Sequence, residues 1–377
     1  MAVPAHTWRM PTRPAFSLIA LTAACLLLAA CQPQATRGEA ARPATSAASV
    51  PERYVSPEFA GEELDSLATW TSPDGHTWVI ASGKSSNRLS VFDADTGERL
   101  RTFGGPGKGV GQFDRPNGLA VSGNLLFVVE RDNHRVQAMT LPDFAPAGMF
   151  GMDLLRSPYG IWLNQTGPGE LDAYVTDSFM YGEGFDVVPP LTELSQRVRR
   201  FKLRIGGAHV EAVANGSFGD TSEAGALHMV ESLAGDPVHD RLLIADEATA
   251  PRSRHSNLRE YTLAGRYTGR SLPEGSFDAE AEGVALWSCA DGSGYWIAVD
   301  QLTPLTRFHL FDRKTLQLRA TWQGAVTANT DGIALHLAPT PAFPAGALFA
   351  VHQDRSVVAF DLREVARTLD LAAGCAD

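Results

Sequence analysis

The chain has 377 residues, of which 44% are apolar and 20% are charged, and this composition excludes disorder along the whole chain. The formal net charge of -11 argues against nucleic acid as a partner, because phosphate backbones bind basic surfaces. The 35 glycines and 23 prolines predict many turns, as in an all-β protein.

The N-terminus carries a targeting signal. Residues 1–14 contain two arginines and no acid, and residues 15–30 are apolar but too few to span a bilayer. The segment Leu28-Ala29-Ala30-Cys31 resembles the bacterial lipoprotein box, in which cleavage leaves a lipid-modified cysteine. Gln32 follows where an aspartate would signal retention, so the resemblance implies an outer-membrane lipoprotein of the cell envelope. An ordinary signal peptide or an uncleaved anchor is the alternative.

Residues 31–54 are rich in Ala, Pro, Ser and Thr and predict a flexible tether. The folded domain is expected over residues 55–370, as a monomer that meets the membrane only through its lipid. Cys289 and Cys375 are the two cysteines of the folded part. An oxidising compartment permits a disulfide between them, and two unrelated thiols are the alternative.

A β-rich run recurs six times, each time followed by a partner run. The first runs centre on Val79, Val128, Val175, Ile244, Ile297 and Ala350. The partner runs are Leu89–Phe92, Val136–Met139, Val198–Phe201, Leu258–Tyr261, Phe308–Phe311 and Val357–Phe360. This period is typical of one four-stranded propeller blade.

Six units predict an all-β fold, a single six-bladed β-propeller. The longest interval, between the third and fourth units, predicts an insertion around residues 181–195. Residues 62–70 precede the first unit and are expected to supply the strand that closes the ring with the last blade. A β-sandwich or two smaller β domains is the alternative.

Several units begin with a polar or aromatic residue followed by glycine and an apolar run, as in Pro158-Tyr159-Gly160 and Asp331-Gly332. The innermost strand of a blade begins beside the central channel, so we expect these residues to converge there. The acids near such positions are Asp65, Glu231, Asp246, Glu247, Glu282 and Asp331. Converging carboxylates favour a hard cation, which makes calcium the expected cofactor, unless the acids cap turns or face solvent.

The second half of the chain resembles the β-propeller phytases, which are calcium-dependent six-bladed phosphomonoesterases. The resemblance rests on segments beginning at Glu231, Ala279, Ala290, Asn329 and Pro344, and on a predicted final helix over 362–368. In the first half, Asp65-Ser66-Leu67-Ala68-Thr69-Trp70 and Pro158-Tyr159-Gly160 are similar to family motifs.

The resemblance implies hydrolysis of phosphate monoesters by a 3-phytase-like phosphatase, with phytate as the phosphorylated small molecule. The metal ligands it implies are Asp65, Glu231, Glu247, Glu282 and Asp331. The catalytic residues it implies are Glu231, Glu282 and Tyr159, with Lys84, Arg131 and Arg156 binding the phosphate. Arg88 and Arg135 are further cations, for which ordinary surface charge is the expectation.

Two observations favour other functions. Ser66 and Asn329 stand where the family has acids, and Ser178 stands where it has a lysine. Residues 107–136 also resemble one NHL repeat, and NHL propellers are commonly binding modules. A noncatalytic binding propeller is therefore the alternative function, and a metal-dependent lactonase-type propeller is a third.

Overall fold

The apolar runs form the strands that the sequence predicts. A computed structural model describes residues 47–247 and 256–375, which belong to one compact unit from Thr45 to Asp377. All six first runs lie in second strands of blades, and all six partner runs lie in third strands. The second strands have apolar middles because neighbouring blades cover both of their faces, as in Leu125–Glu130, where every residue is buried.

Six antiparallel sheets follow one another along the chain as the blades of a β-propeller. Blade 1 contains β3 (Leu64–Thr71), β4 (Thr77–Gly83), β5 (Arg88–Asp93) and β6 (Arg99–Gly104). Blade 2 contains β7 (Pro116–Ser122), β8 (Leu125–Glu130), β9 (Arg135–Thr140) and β10 (Ala145–Phe150). Blade 3 contains β11 (Pro158–Gly167), β12 (Glu170–Asp177), β13 (Val198–Gly206) and β14 (His209–Phe218).

The other three blades repeat this order, with the first-named strand of each lying next to the channel. Blade 4 contains β15 (Val230–Asp236), β16 (Arg241–Asp246), β17 (Asn257–Tyr261) and β18 (Tyr267–Ser271). Blade 5 contains β19 (Glu280–Ser288), β20 (Gly294–Gln301), β21 (Arg307–Asp312) and β22 (Leu318–Gln323). Blade 6 contains β23 (Ile333–His336), β24 (Ala347–His352) and β25 (Ser356–Asp361).

The strand that closes the ring differs from the expected one. β2 (Tyr54–Val55) pairs with β25 and completes blade 6, whereas the expected segment, residues 62–70, forms the innermost strand of blade 1. β1 (Ala48–Ser49) adds a fifth strand, parallel to β22, to blade 5. The last residues assigned to the tether over 31–54 therefore belong to the propeller, because their backbone groups complete two sheet edges.

The core consists of apolar clusters between neighbouring blades, one at each of the six blade contacts. The C-terminal segment covers one of these clusters with α1 (Leu362–Thr368), which has the predicted bounds. A disulfide joins Cys289 to Cys375, so the disulfide alternative is confirmed and the tail is held against blade 5. The short 3-10 helices are Leu191–Gln196, Pro237–His239 and Ala373–Cys375.

The predicted insertion lies between β12 and β13. It contains a short hairpin, in which Tyr181 and Val187 exchange backbone hydrogen bonds, and the 3-10 helix Leu191–Gln196. Within residues 47–247 and 256–375, no helix is long and apolar enough to cross a membrane. The predicted signal peptide and the lipidation site Cys31 lie outside the described residues.

Candidate functional site

One residue from each blade faces the end of the channel. These six channel positions are Asp65, Asn117, Tyr159, Glu231, Glu282 and Asp331, and each precedes a glycine or serine. Five of the six inner strands shift register at this point, which turns the side chain away from the sheet. The predicted convergence is therefore present.

Small residues are required next to the channel positions because the backbones of adjacent blades touch there. A Cβ on Gly160 would lie 2.7 Å from the carbonyl oxygen of Glu231, and one on Gly283 would lie 2.9 Å from that of Asp331. The amide of Gly283 instead donates a hydrogen bond to the Asp331 carbonyl oxygen at 3.0 Å. These contacts fix the channel positions relative to one another.

Asp65 is the channel acid with a cation beside it. Lys84 Nζ lies 3.2 Å from Asp65 Oδ1 and 3.9 Å from Asp331 Oδ2, and the Tyr159 hydroxyl donates to Asp65 Oδ1 at 3.1 Å. Burial alone would lower the pKa of Lys84, but attraction to Asp65 and Asp331 outweighs it and raises the pKa above its usual value. Lys84 therefore stays charged and holds two blades together through their acids.

Glu231 is compensated only in part, because the charge of Lys84 and a hydrogen bond from Tyr159 do not offset its burial and the neighbouring acids. Its side chain is buried, and its Oε2 atom has no hydrogen-bond partner among the described residues. Burial, followed by the charges of Glu247 and Asp65, raises its pKa well above the ordinary value. A buried carboxylate oxygen with a free lone pair is costly unless a cation or a donor reaches it.

Three carboxylates cluster beside Glu231. Oxygen atoms of Glu247, Glu280 and Glu282 all lie within 4.8 Å of one another. Burial and the charges of Glu247 and Glu231 raise the pKa of Glu282 well above its usual value, and burial and Glu247 raise the pKa of Glu280. These oxygens have the chemistry and the spacing that calcium requires.

Asp331 completes the ring of channel acids, which are Asp65, Glu231, Glu282 and Asp331. Gln301 donates a hydrogen bond to its Oδ1 atom. Burial and the charge of Asp65 raise the pKa of Asp331 well above the usual value. Asn329, which stands where the resembled family has an acid, lies with its amide nitrogen 3.4 Å from Asp354 Oδ1.

Asp246 does not belong to the channel acids, with which the sequence analysis grouped it. It accepts hydrogen bonds from the backbone amides of His228 and Met229 and pairs with Arg259. Three other acids at the ends of second strands anchor the preceding loop in the same way. We call this group the strand-end acids: Glu130, Asp177, Asp246 and Asp300. Asp246 is a loop anchor, as the turn-capping alternative stated.

The predicted phosphate-binding arginines line a cavity of about 770 Å³ that reaches Tyr159 and Glu231. Arg131 forms a salt bridge of 2.7 Å with Asp132, and Arg156 lies 3.8 Å above the ring of Phe179. Lys84 contacts the acids and is not among the residues lining this cavity. Arg135 was expected at the surface but is buried. It donates hydrogen bonds to Glu130 and to carbonyl oxygens of the loop before β7.

Sequence reasoning missed Glu280 and Gln301, and it placed Asn117 at the channel through its motif without giving it a role. Neither polar side-chain atom of Asn117 has a partner among the residues that the structure describes. Its signal was present, since Pro116-Asn117-Gly118 has the form of the other channel motifs. Glu280 lies close to Glu282 in the chain, but strand periodicity does not place the two carboxylates together, because β19 shifts register between Ala281 and Val284.

Comparison with known proteins identifies one repeat and a general fold likeness. The NHL repeat model matches residues 113–139, which span β7 to β9 of blade 2. Hydrazine synthase from Kuenenia stuttgartiensis is 14% identical, with a TM-score of 0.47 over 84% of this chain and 82% of that one. A catalytically inactive virginiamycin B lyase from Staphylococcus aureus, solved with quinupristin, is 10% identical, with a TM-score of 0.46 over 81% of this chain and 98% of that one. We draw nothing about function from likenesses at this level.

Proposed function

We propose that the channel mouth binds calcium and hydrolyses phosphate monoesters. The observation that carries the proposal is that carboxylates and arginines lie together at the end of the channel. Glu231, whose buried Oε2 atom has no hydrogen-bond partner in the part of the chain that the structure describes, lies beside the Glu247, Glu280 and Glu282 cluster. It also lines the cavity that holds the two arginines. Metal-assisted phosphate chemistry needs both a carboxylate cage and cations that accept the phosphate.

A bound calcium ion would compensate these carboxylates better than their present neighbours do. Glu247, Glu280 and Glu282 would hold the metal with Glu231 beside them, and Asp65 and Asp331, which contact Lys84, would be further ligands. When bound, calcium would polarise the phosphate and lower the pKa of an attacking water. Burial and the neighbouring acids raise the pKa values of Glu231 and Glu282, and this supports a cation site at these residues.

The other residues would orient the ester. Burial, followed by the charges of Asp65 and Glu231, raises the pKa of Tyr159 well above its usual value, so its hydroxyl remains a proton donor at neutral pH. Arg131 and Arg156 offer planar guanidinium groups at the open side of the cavity, suited to phosphate oxygens. Lys84 holds Asp65 in place through their ion pair.

An assay of phosphate release tests this proposal. Phytate, which the family resemblance implies, and an aryl phosphate would be incubated with the purified propeller while calcium is titrated. Glu231→Gln and Glu282→Gln should each lower phosphate release by about a hundredfold or more, and the two losses should not add, since both dismantle one site. Glu211→Gln, an exposed acid on β14, is the matched control and should keep full activity. Folded, calcium-bound wild type that releases no phosphate would exclude hydrolysis.

A binding propeller is the second candidate, favoured by the NHL repeat match over residues 113–139 and by Ser66, Asn329 and Ser178. Calorimetry distinguishes the two functions. Calcium-dependent binding of a phosphate ester without any turnover would identify the site as a receptor that keeps the cation cage and has lost hydrolysis.

We further propose that the protein is lipid-anchored at Cys31 in the cell envelope, on the outer membrane. Cys31→Ser removes the lipid acceptor, so the protein should leave the membrane fraction and change in mass. Fractionation of cells and mass measurement check this. A variant that stays in the membrane fraction at unchanged mass would contradict the anchor.

A further inference from the structure

The cavity at the channel mouth is lined by both charged and apolar side chains. The guanidinium groups are those of Arg131 and Arg156. The apolar wall is formed by Met180, Phe185 and Met229, together with Phe179, whose ring already contacts Arg156 and Arg197. A ligand that fills the cavity must therefore satisfy charge and also cover apolar surface.

The apolar wall is held in place by one buried arginine. The Arg197 guanidinium is fully buried and donates to the carbonyl oxygens of Asp177, Phe179, Leu227 and His228. It therefore ties the start of the insertion to the segment that leads into β15. Phe179 and Met180 on one side and Met229 on the other are fixed by the same group, so the wall is formed before a ligand arrives.

Phe185 extends this wall into solvent. It lies near the tip of the hairpin closed by Tyr181 and Val187, with a φ of 52° and 75% of its surface exposed. A bulky residue in the left-handed region is uncommon, and such residues concentrate at functional sites. The hairpin thus presents an aromatic ring, at a cost in backbone strain, to the cavity that contains Tyr159.

The cavity has few cations for a densely phosphorylated ligand. Arg131 already pairs with Asp132, and Lys84 is engaged by Glu63, Asp65 and Asp331. Arg156 lies on the face of Phe179 at 3.8 Å, so one phosphate bound there would place its ester oxygen next to the apolar wall.

We propose that the substrate is a phosphate monoester of an apolar, aromatic alcohol, with the phosphate at Arg131, Arg156 and Tyr159 and the ring against Phe179, Met180, Phe185 and Met229. This rests on the proposed phosphatase function and names its substrate class. A substrate whose phosphates surround a polar ring would leave the apolar wall uncovered.

Kinetics on esters with matched leaving groups test the proposal. Naphthol and phenol are similar in acidity, so the ratio of kcat/KM for naphthyl phosphate to that for phenyl phosphate reports contact with the apolar wall. The ratio should be about tenfold or more in wild type at saturating calcium. Phe185→Ser should lower the ratio several-fold, through a loss of kcat/KM for naphthyl phosphate that exceeds the loss for phenyl phosphate. Val213→Ser, an apolar residue of β14 that is 68% exposed, should leave the ratio as it is.

Two results would overturn the substrate class: equal kcat/KM for the two aryl esters, or a higher kcat/KM for phytate than for naphthyl phosphate. If no ester is hydrolysed, the proposed function fails and the substrate class is judged by binding. Calorimetry in the presence of calcium should then give a Kd for naphthyl phosphate at least tenfold below that for phenyl phosphate, with Phe185→Ser removing the difference. Equal Kd values would reject the class.

Discussion

The strand-end acids and the channel acids are both buried, but their surroundings differ. Asp246 accepts two backbone amides and pairs with Arg259, and Asp177 accepts the amides of Arg156 and Ser157 and pairs with Arg199. In contrast, Glu231 keeps an oxygen without a partner among the described residues, and Glu282 lies against Glu247 and Glu280. The first group has the partners that stabilise a fold, and the second has the unmet charge expected of a cation site.

The largest effect on stability should come from a strand-end acid. Asp246→Ala removes the acceptor of the His228 and Met229 amides and leaves Arg259 without its carboxylate. We expect the free energy of unfolding to fall by about 3–5 kcal/mol, measured by urea denaturation. A loss below about 1 kcal/mol would mean that Asp246 is not a loop anchor, and it would contradict the distinction between strand-end acids and channel acids.

Asp65 is intermediate between the two groups, because it is a channel acid but has a cation, Lys84, beside it. A substitution of Lys84 therefore tests the comparison. Lys84→Met should destabilise the calcium-free protein by about 2–3 kcal/mol, because Asp65 loses its ion pair but keeps the hydrogen bond from Tyr159. Calcium should then raise the melting temperature more than in wild type, because Asp65 becomes available to the metal. An equal or smaller calcium effect would place Asp65 outside the metal site.

Asp236 and Glu231 should give opposite pH dependences, whereas burial raises the pKa of the strand-end acid Asp177 as it raises that of Glu231. Hydrogen bonds from Arg313 and His239 outweigh burial at Asp236, an acid of β15, and lower its pKa, so its contribution persists above its ordinary value of 3.8 and is lost as the pH falls below it. Glu231 has a raised pKa, so calcium-free protein should lose stability as the pH rises from its ordinary 4.5 towards neutral.

Urea denaturation in chelator across this pH range separates the two. Glu231→Gln should flatten the decline towards neutral pH, because its side chain has no proton to lose. Asp236→Asn should instead be destabilised by a nearly constant amount down to about pH 4. A decline that Glu231→Gln leaves unchanged would mean that Glu231 is already compensated in the folded protein.

The smallest effect is expected at an exposed pair. The side chain of Asp132 is 42% exposed and pairs with Arg131. Asp132→Asn should change the free energy of unfolding by about 0.5 kcal/mol or less, since solvent screens such pairs. It should also strengthen binding of a phosphate ester slightly, because Arg131 is released. Weaker binding, measured by calorimetry, would show that Asp132 helps to position Arg131.

The fold was predictable because each blade repeats two apolar runs that are buried on both faces, and a local pattern of this kind survives in the sequence. The ring-closing strand was not predictable in the same way. Tyr54–Val55 is two residues long and pairs through its backbone, so no side-chain alternation marks it. Residues 62–70 are longer and more apolar, and the sequence therefore favoured them.

The part of the site that belongs to the repeated blade-start motifs was predictable from the sequence. A polar residue before glycine placed Tyr159, Glu282 and Asp331 at the channel without any knowledge of neighbouring blades. The pattern could not separate Asp246 from Glu247, because the two are adjacent in the chain and only their partners in space differ. The apolar wall of the cavity was also hidden, since it joins the insertion to the segment before β15 through Arg197.

Melting of the purified propeller with and without calcium tests the central claim, that the channel acids form a cation site, most directly. A ligand that binds only the folded state raises the melting temperature. Wild type should therefore melt several degrees higher in calcium than in chelator, Glu231→Gln and Glu282→Gln should lose most of this difference, and Glu211→Gln should keep it. Wild type that melts at the same temperature in excess chelator and in millimolar calcium would contradict the account.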